Sequence, residues 1–185
     1  VQDFTEAKRT EANLRAKTEE LNRYFNSSLD LLCIADTSGH FVRLNPEWEK
    51  VLGYSIEELE GRLFFDLVHP DDKEATLKAI ARLDAQEEVL SFENRYCCKD
   101  GSYRWIEWRS RPQGDLIYAA ARDITRRKRT EEDLARSREQ FELAVKGSSD
   151  GIWDWDIRDN SLFLSPTWKA QLGFRDDELP NEFAT

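Results

Sequence analysis

Two histidines, three cysteines and 37 acidic residues are what this 185-residue chain offers for catalytic or metal chemistry. His69 opens the run His69-Pro70-Asp71-Asp72. This is a helix start whose acids suit the dipole, so a surface cap is the expected role of His69 and haem ligation is disfavoured. His40 follows the turn Asp36-Thr37-Ser38-Gly39, where solvent exposure is the default. The cysteines Cys33, Cys97 and Cys98 add no metal-ligand spacing to these histidines, and no metal site is expected. Cys97 and Cys98 are neighbours on an expected strand, so their side chains diverge and a vicinal redox switch is disfavoured. The acids lie mainly on helical surfaces and linkers, where solvation is their usual role. No Gly-rich phosphate loop, nucleophile elbow or kinase signature is present. No catalytic residue is assigned, and the chain reads as non-catalytic.

Composition narrows the remaining classes. Charged residues make up 35% of the chain, against a typical share of roughly 25%, which points to solvated surface and helical linker beside a modest core. Ten Phe, six Trp and five Tyr nevertheless argue for a packed domain rather than disorder. A formal charge of -10 excludes a general nucleic-acid footprint. No apolar run approaches the roughly 20 residues of a membrane helix, and the charged stretch after Val1 is no signal peptide. Three reduced thiols and these features fit a cytoplasmic setting. The lack of any Met fits a segment of a longer polypeptide.

The chain repeats itself. Shifted by 120 positions, residues 1–65 align with 121–185 without a gap, and 18 of the 65 pairs are identical. The matches cluster: Lys8-Arg9-Thr10-Glu11 on Lys128-Arg129-Thr130-Glu131, Pro46-x-Trp48 on Pro166-x-Trp168, and Leu52-Gly53 on Leu172-Gly173. Residues 1–26 are therefore read as a helical linker after a preceding unit and 27–126 as one complete unit. Residues 127–146 are the next linker, and 147–185 the opening of a second, truncated unit.

Within the complete unit, Leu31–Ala35 and Phe41–Leu44 read as strands around a hairpin turn. Asn45-Pro46 is read as a helix start with Asn45 as cap, and Gly53 as its left-handed stop. Ser55-Ile56-Glu57-Glu58 is a capping box. A longer helix then buries Ala75, Leu77, Ile80, Ala81 and Leu83 and ends near Gln86. Strands Val89–Cys97, Tyr103–Arg111 and Leu116–Ala121 follow, separated by Lys99-Asp100-Gly101-Ser102 and Pro112-Gln113-Gly114-Asp115. The order β-β-α-α-α-β-β-β is an α+β plan.

That order resembles the PAS sensory domain with its PAC-type C-terminal motif. The residues that carry the likeness are Asn45-Pro46-x-Trp48, Leu52-Gly53-Tyr54, His69-Pro70-Asp71-Asp72, Asp100-Gly101 before Tyr103-Arg104-Trp105, and Asp123-Ile124-Thr125. The resemblance implies a PAS fold: a five-stranded antiparallel sheet with helices on one face, flanked by coiled-coil-like helical linkers. It further implies a sensor in signal transduction, most often in a two-component histidine kinase, less often in a diguanylate cyclase. The family's pocket lies between sheet and helices; Trp48, Phe65, Leu77, Ile80, Phe92, Asn94, Tyr96, Trp105 and Tyr118 are the positions expected to face it. Such a lining suits a ligand and equally suits a filled core. Asp123, Ile124 and Thr125 are expected to join the core to the output helix. Light-sensing flavin chemistry in this family needs an Asn-Cys-Arg-Phe run. Gly61-Arg62-Leu63-Phe64-Phe65-Asp66-Leu67 stands there without a cysteine. No cofactor is expected; noncovalent flavin or haem is the alternative.

Both linkers carry a sparse heptad pattern: Phe4, Ala7, Leu14, Leu21 and Phe25 in the first, Ile124, Leu134, Phe141 and Val145 in the second. Glu11, Thr18 and Arg138 interrupt it. Two readings stand: a helix laid on its own domain, or a parallel coiled coil that makes a homodimer. The other partners expected are adjacent sensor and output domains of the same polypeptide, and a small-molecule ligand.

Overall fold

Alternation of apolar and polar side chains builds the sheet that organises the chain. The computed structural model describes residues 2–147 and 150–181. A long helix α1 (Gln2–Ser27) leads into β1 (Leu31–Asp36) and β2 (Phe41–Leu44). The short helices α2 (Glu47–Leu52) and α3 (Ile56–Leu59), two single 3-10 turns and α4 (Lys73–Asp84) follow. Strands β3 (Val89–Cys97), β4 (Tyr103–Gln113) and β5 (Leu116–Asp123) complete the sheet before α5 (Thr125–Gly147). The strands lie in the order β2-β1-β5-β4-β3, all pairs antiparallel. This is the expected five-stranded α+β arrangement. The described chain divides into two compact units after Lys128, partway along α5.

Local chemistry accounts for the joints. Gly53 ends α2 with φ of 79°, a left-handed conformation that costs glycine nothing. Ser55 and Glu58 form the reciprocal capping box. His69 caps the turn Pro70–Asp72, its Nδ1 accepting the Asp71 N–H at 3.2 Å. Asn45 differs from the expectation: the residue before α2 is Pro46, and the Asn45 side chain makes no cap. Its carboxamide is fully buried; Oδ1 accepts the Leu32 N–H at 2.9 Å and Nδ2 donates to the Asp30 carbonyl at 2.9 Å. The Trp48 indole N–H donates to the Leu32 carbonyl at 3.0 Å, so both side chains tie α2 to β1.

The apolar stripe of α4 is also rotated from the expected one. Thr76, Ala79, Ile80 and Leu83, at i, i+3, i+4 and i+7, turn inward, whereas Ala75, Leu77 and Ala81 are exposed. Thr76 tolerates burial because its hydroxyl donates to the Asp72 carbonyl at 2.8 Å. The main core lies between sheet and helices and joins Leu31, Phe41, Trp48, Leu59, Tyr96 and Ile106.

In the second unit β6 (Trp153–Asp156) pairs with β7 (Ser161–Leu164), and α6 (Pro166–Gln171) follows. These positions sit 120 residues after their counterparts. Ser165 caps α6 through Trp168 N–H and also accepts the Ile152 N–H at 2.9 Å, doing there what Asn45 does in the first unit.

Candidate ligand cavity and the strand-to-helix junction

Because β3, β4 and β5 alternate, one parity of each strand faces α4. Phe92, Asn94 and Tyr96 from β3, Trp108 and Ser110 from β4, and Ile117 and Ala119 from β5 share that face. With Ile80 and Leu83 of α4 they line a cavity of about 60 Å³. None of its lining side chains carries a charge at neutral pH. Burial holds the Cys33 thiol neutral, pushing its pKa up to about 12, and likewise raises the Tyr96 phenol.

The structure distributes the nine expected pocket positions unevenly. Ile80, Phe92, Asn94 and Tyr96 line the cavity. Trp48 lies beneath it in the core, its ring 6.3 Å from Tyr96 and 5.7 Å from Trp108. Phe65 packs at the core's edge under the Lys73 ammonium. Leu77 is 54% exposed on the far side of α4. Trp105 and Tyr118 stand on the opposite sheet face, since each is one residue out of phase with the inward Ile106 and Ile117.

One polar network runs out of the cavity. The Trp108 indole N–H donates to Asn94 Oδ1 at 2.8 Å, and Asn94 Nδ2 donates to Thr76 Oγ1 at 3.1 Å. Thr76 in turn reaches the Asp72 carbonyl, and the Asp72 carboxylate accepts Arg95 Nη2 at 2.7 Å and Nε at 2.9 Å. The Arg95 guanidinium holds the Asp72 carboxyl below the usual range. Its Cζ also lies 5.1 Å from the Trp105 ring centroid, with Lys128 Nζ 5.2 Å from the same centroid. Trp105 is thus flanked by two cations.

The expected junction residues sit at the other end of that path. Asp123 Oδ1 accepts the Thr125 N–H at 2.8 Å, satisfying one of the unpaired donors of the first helical turn. Its other oxygen lies 3.7 Å from Arg104 Nη1. Ile124 and Thr125 are both buried. The Thr125 hydroxyl accepts the Trp105 N–H at 2.9 Å, and Ile124 N–H donates to the Trp105 carbonyl at 2.9 Å. Glu93 on β3 accepts from Arg127 Nη2 at 2.7 Å and also pairs with Lys128.

Comparison with known proteins agrees with this geometry. Residues 41–116 match a family model described as the PAS fold. The crystal structure of the PAS domain of an HTR-like protein from Haloarcula marismortui has a TM-score of 0.56 and 27% identity, over 63% of this chain and 99% of that one. This chain carries a PAS domain. Among curated sequences it is 28% identical over 157 residues to the "Probable diguanylate cyclase DgcE" of Escherichia coli, covering 79% of this chain and 14% of that protein. It is 24% identical over 139 residues to Sporulation kinase E of Bacillus subtilis, covering 74% and 19%. The chain thus spans less than a fifth of the length of either relative. The PAS domain is a sensory domain of signal transduction; its relatives include both kinases and a cyclase.

Several residues of this PAS domain went unseen in the sequence. Ser110, Thr76 and Trp108 line the cavity, and Asp72 and Arg95 carry its network onward. The alternation Ile106-x-Trp108-x-Ser110 is a signal for the first group, once Ile106 is fixed as inward. Nothing local pairs Asp72 with Arg95, 23 residues away. Among the described residues no group of three His, Cys, Asp or Glu could hold a metal, and no helix is long and apolar enough to cross a membrane.

Proposed function

We propose that this chain is a sensory and dimerisation module that passes the state of its PAS cavity to α5 and onward to a downstream output domain. The observation that carries the reading is the double clasp of Trp105 on Ile124 and Thr125, because it binds the strand next to the cavity to the first turn of the helix. Relatives of both output types favour a catalytic signalling output, a histidine kinase first and a diguanylate cyclase as the alternative. The module itself supplies no chemistry. The test is Asp123→Ala in the full-length protein: stimulus-dependent output is lost while basal output and fold persist. Unchanged stimulus dependence would end this reading.

Dimerisation is assigned to the helices. Leu14 and Leu21 on α1, and Leu134 and Phe141 on α5, are exposed at seven-residue spacing, as a weak coiled-coil seam requires. Phe25 belongs instead to its own domain, under Arg43 at 4.5 Å, and Val145 is buried. The side chains of Phe4 and Ala7 lie outside the described residues. A mass of two chains in sedimentation equilibrium supports the dimer, and a strictly monomeric mass at high concentration contradicts it.

A further inference from the structure

We propose that Phe25 is contested between two partners: Arg43 of its own PAS domain, which holds it in this structure, and the α1 helix of a second copy of the chain. Arg43 thereby acts as a latch that keeps the α1 seam one apolar layer short. The inference rests on the dimer reading above and adds what regulates that interface.

The docked position is built from two contacts of one guanidinium. Arg43 Nη2 donates to Asn22 Oδ1 at 2.8 Å, and Arg43 Cζ lies 4.5 Å from the Phe25 ring centroid. Asn22 and Phe25 stand at i and i+3, on one face of α1, so a single side chain from the sheet reaches both. Arg43 lies opposite Ile34 in the β1–β2 pair, and Phe25 shares a groove with Leu32, Ile34 and Tyr118 on the sheet face away from the cavity. Phe25 is only half-buried there. Beyond α1 the chain is fixed again at Asp30, whose carbonyl accepts Asn45 Nδ2 at 2.9 Å and whose carboxylate pairs with Arg122 at 3.0 Å. Release of Phe25 therefore leaves β1 in place.

The same ring has a place in the seam. Leu14, Thr18, Leu21 and Phe25 follow at intervals of four, three and four residues, the spacing of core positions in a coiled coil. Leu14 and Leu21 are 68% and 66% exposed, and Thr18 between them turns its hydroxyl back to the Leu14 carbonyl at 2.9 Å. With Phe25 docked, these two leucines are separate layers with a polar layer between them. With Phe25 released, Leu21 and Phe25 become consecutive apolar layers beside the domain. One ring cannot lie under Arg43 and fill a hole in a facing helix at once, so docking and full pairing of α1 exclude each other. Dimerisation then weakens docking by the same factor by which docking weakens dimerisation. In the second unit, 120 residues on, Glu142, Val145 and Phe163 replace Asn22, Phe25 and Arg43, so a charged latch of this kind is particular to α1.

The test is sedimentation equilibrium of the 185-residue chain as wild type, Arg43→Gln, Phe25→Ala and the double variant, each checked for a native circular dichroism spectrum. Arg43→Gln should tighten the dimer by at least about fivefold. Phe25→Ala alone should change it by less than about twofold, because the docked ring adds nothing to the seam, and beside Arg43→Gln it should cancel the gain. Should Arg43→Gln not fold, Arg43→Lys takes its place; it keeps the charge, loses the planar fork and should tighten the dimer by a smaller factor. Leu21→Ala should weaken the dimer in every background. The two readings fail separately. A dimer indifferent to Arg43→Gln, a gain that survives Phe25→Ala, or a dimer indifferent to Leu21→Ala overturns the competition and leaves the dimer standing. A monomer in wild type and Arg43→Gln alike overturns both.

Discussion

Trp105 and Thr125 lie 20 residues apart in sequence, yet the backbone N–H of the first donates to the hydroxyl of the second at 2.9 Å. The carbonyl of Trp105 at the same time accepts the N–H of Ile124, so one residue of β4 holds both members of the strand-to-helix junction. Its side chain extends the hold outward, between Arg95 on β3 and Lys128 on α5. The chain of contacts that starts at the cavity in Asn94 therefore ends on the helix.

Replacing Thr125 by Val keeps its shape and removes its acceptor. The Trp105 N–H loses its partner, and a loss of about 1–2 kcal/mol is expected in urea unfolding. Thr125→Ser should recover most of it. Equal stability of the Val and Thr forms would remove the hydroxyl from the account of the junction.

Asp72→Asn should cost about 1.5–3 kcal/mol at neutral pH, since it removes the charge-assisted bonds to a partly buried Arg95. The pH dependence has a definite sign. Arg95 lowers the folded pKa of Asp72, so its contribution is complete above the ordinary carboxylate value of about 3.9 and is lost as pH falls through the lower folded value. The gap between wild type and variant should therefore narrow only below about pH 4. A gap that narrows between pH 8 and 6 would point to a different partner.

At the alkaline end the sign reverses. Burial raises Cys33 from 9.0 to about 12 in the folded chain, so the folded state retains a proton that the unfolded state gives up. Stability should be intact below about pH 9 and fall above it, by up to about 1.4 kcal/mol per pH unit for this group. Tyr96 adds to the fall above about pH 10. Cys33→Ala should flatten the decline between pH 9 and 10, and an unchanged slope there would contradict the buried, neutral thiol.

Asn94→Leu leaves the buried Trp108 indole N–H without its acceptor and Thr76 without its donor. A loss of about 1–3 kcal/mol is expected, measured by denaturant unfolding. A neutral result would mean that Trp108 finds another acceptor.

Much of this architecture was legible because its signals are local. The capping box at Ser55, the left-handed Gly53 and the alternation of the five strands each act over a few residues, and the 120-residue repeat marks the units. The departures came where distant groups decide. Asn45 before a proline reads as a helix cap, but its carboxamide serves backbone groups of Asp30 and Leu32, 13 to 15 residues back. Trp105 and Trp108 are both aromatic on opposite parities of β4, so their faces follow from sheet register and not from residue type. Leu77 looked like core by hydrophobicity, yet α4 meets the sheet through Thr76 because Asn94 waits there for its hydroxyl. The junction residues Asp123, Ile124 and Thr125 were legible as a motif, whereas the cavity's polar members needed the third dimension.

The most direct measurement of the path from cavity to helix is amide hydrogen exchange along Thr125–Gly147, with the cavity perturbed by Ala119→Val. With Thr125 in place, the cavity change should alter protection in the first two turns of α5 by at least about fivefold, equivalent to about 1 kcal/mol of coupling. In the Thr125→Val background the same change should have less than half that effect. Equal responses in the two backgrounds, or none in either, would contradict a relay through the Trp105–Thr125 bond.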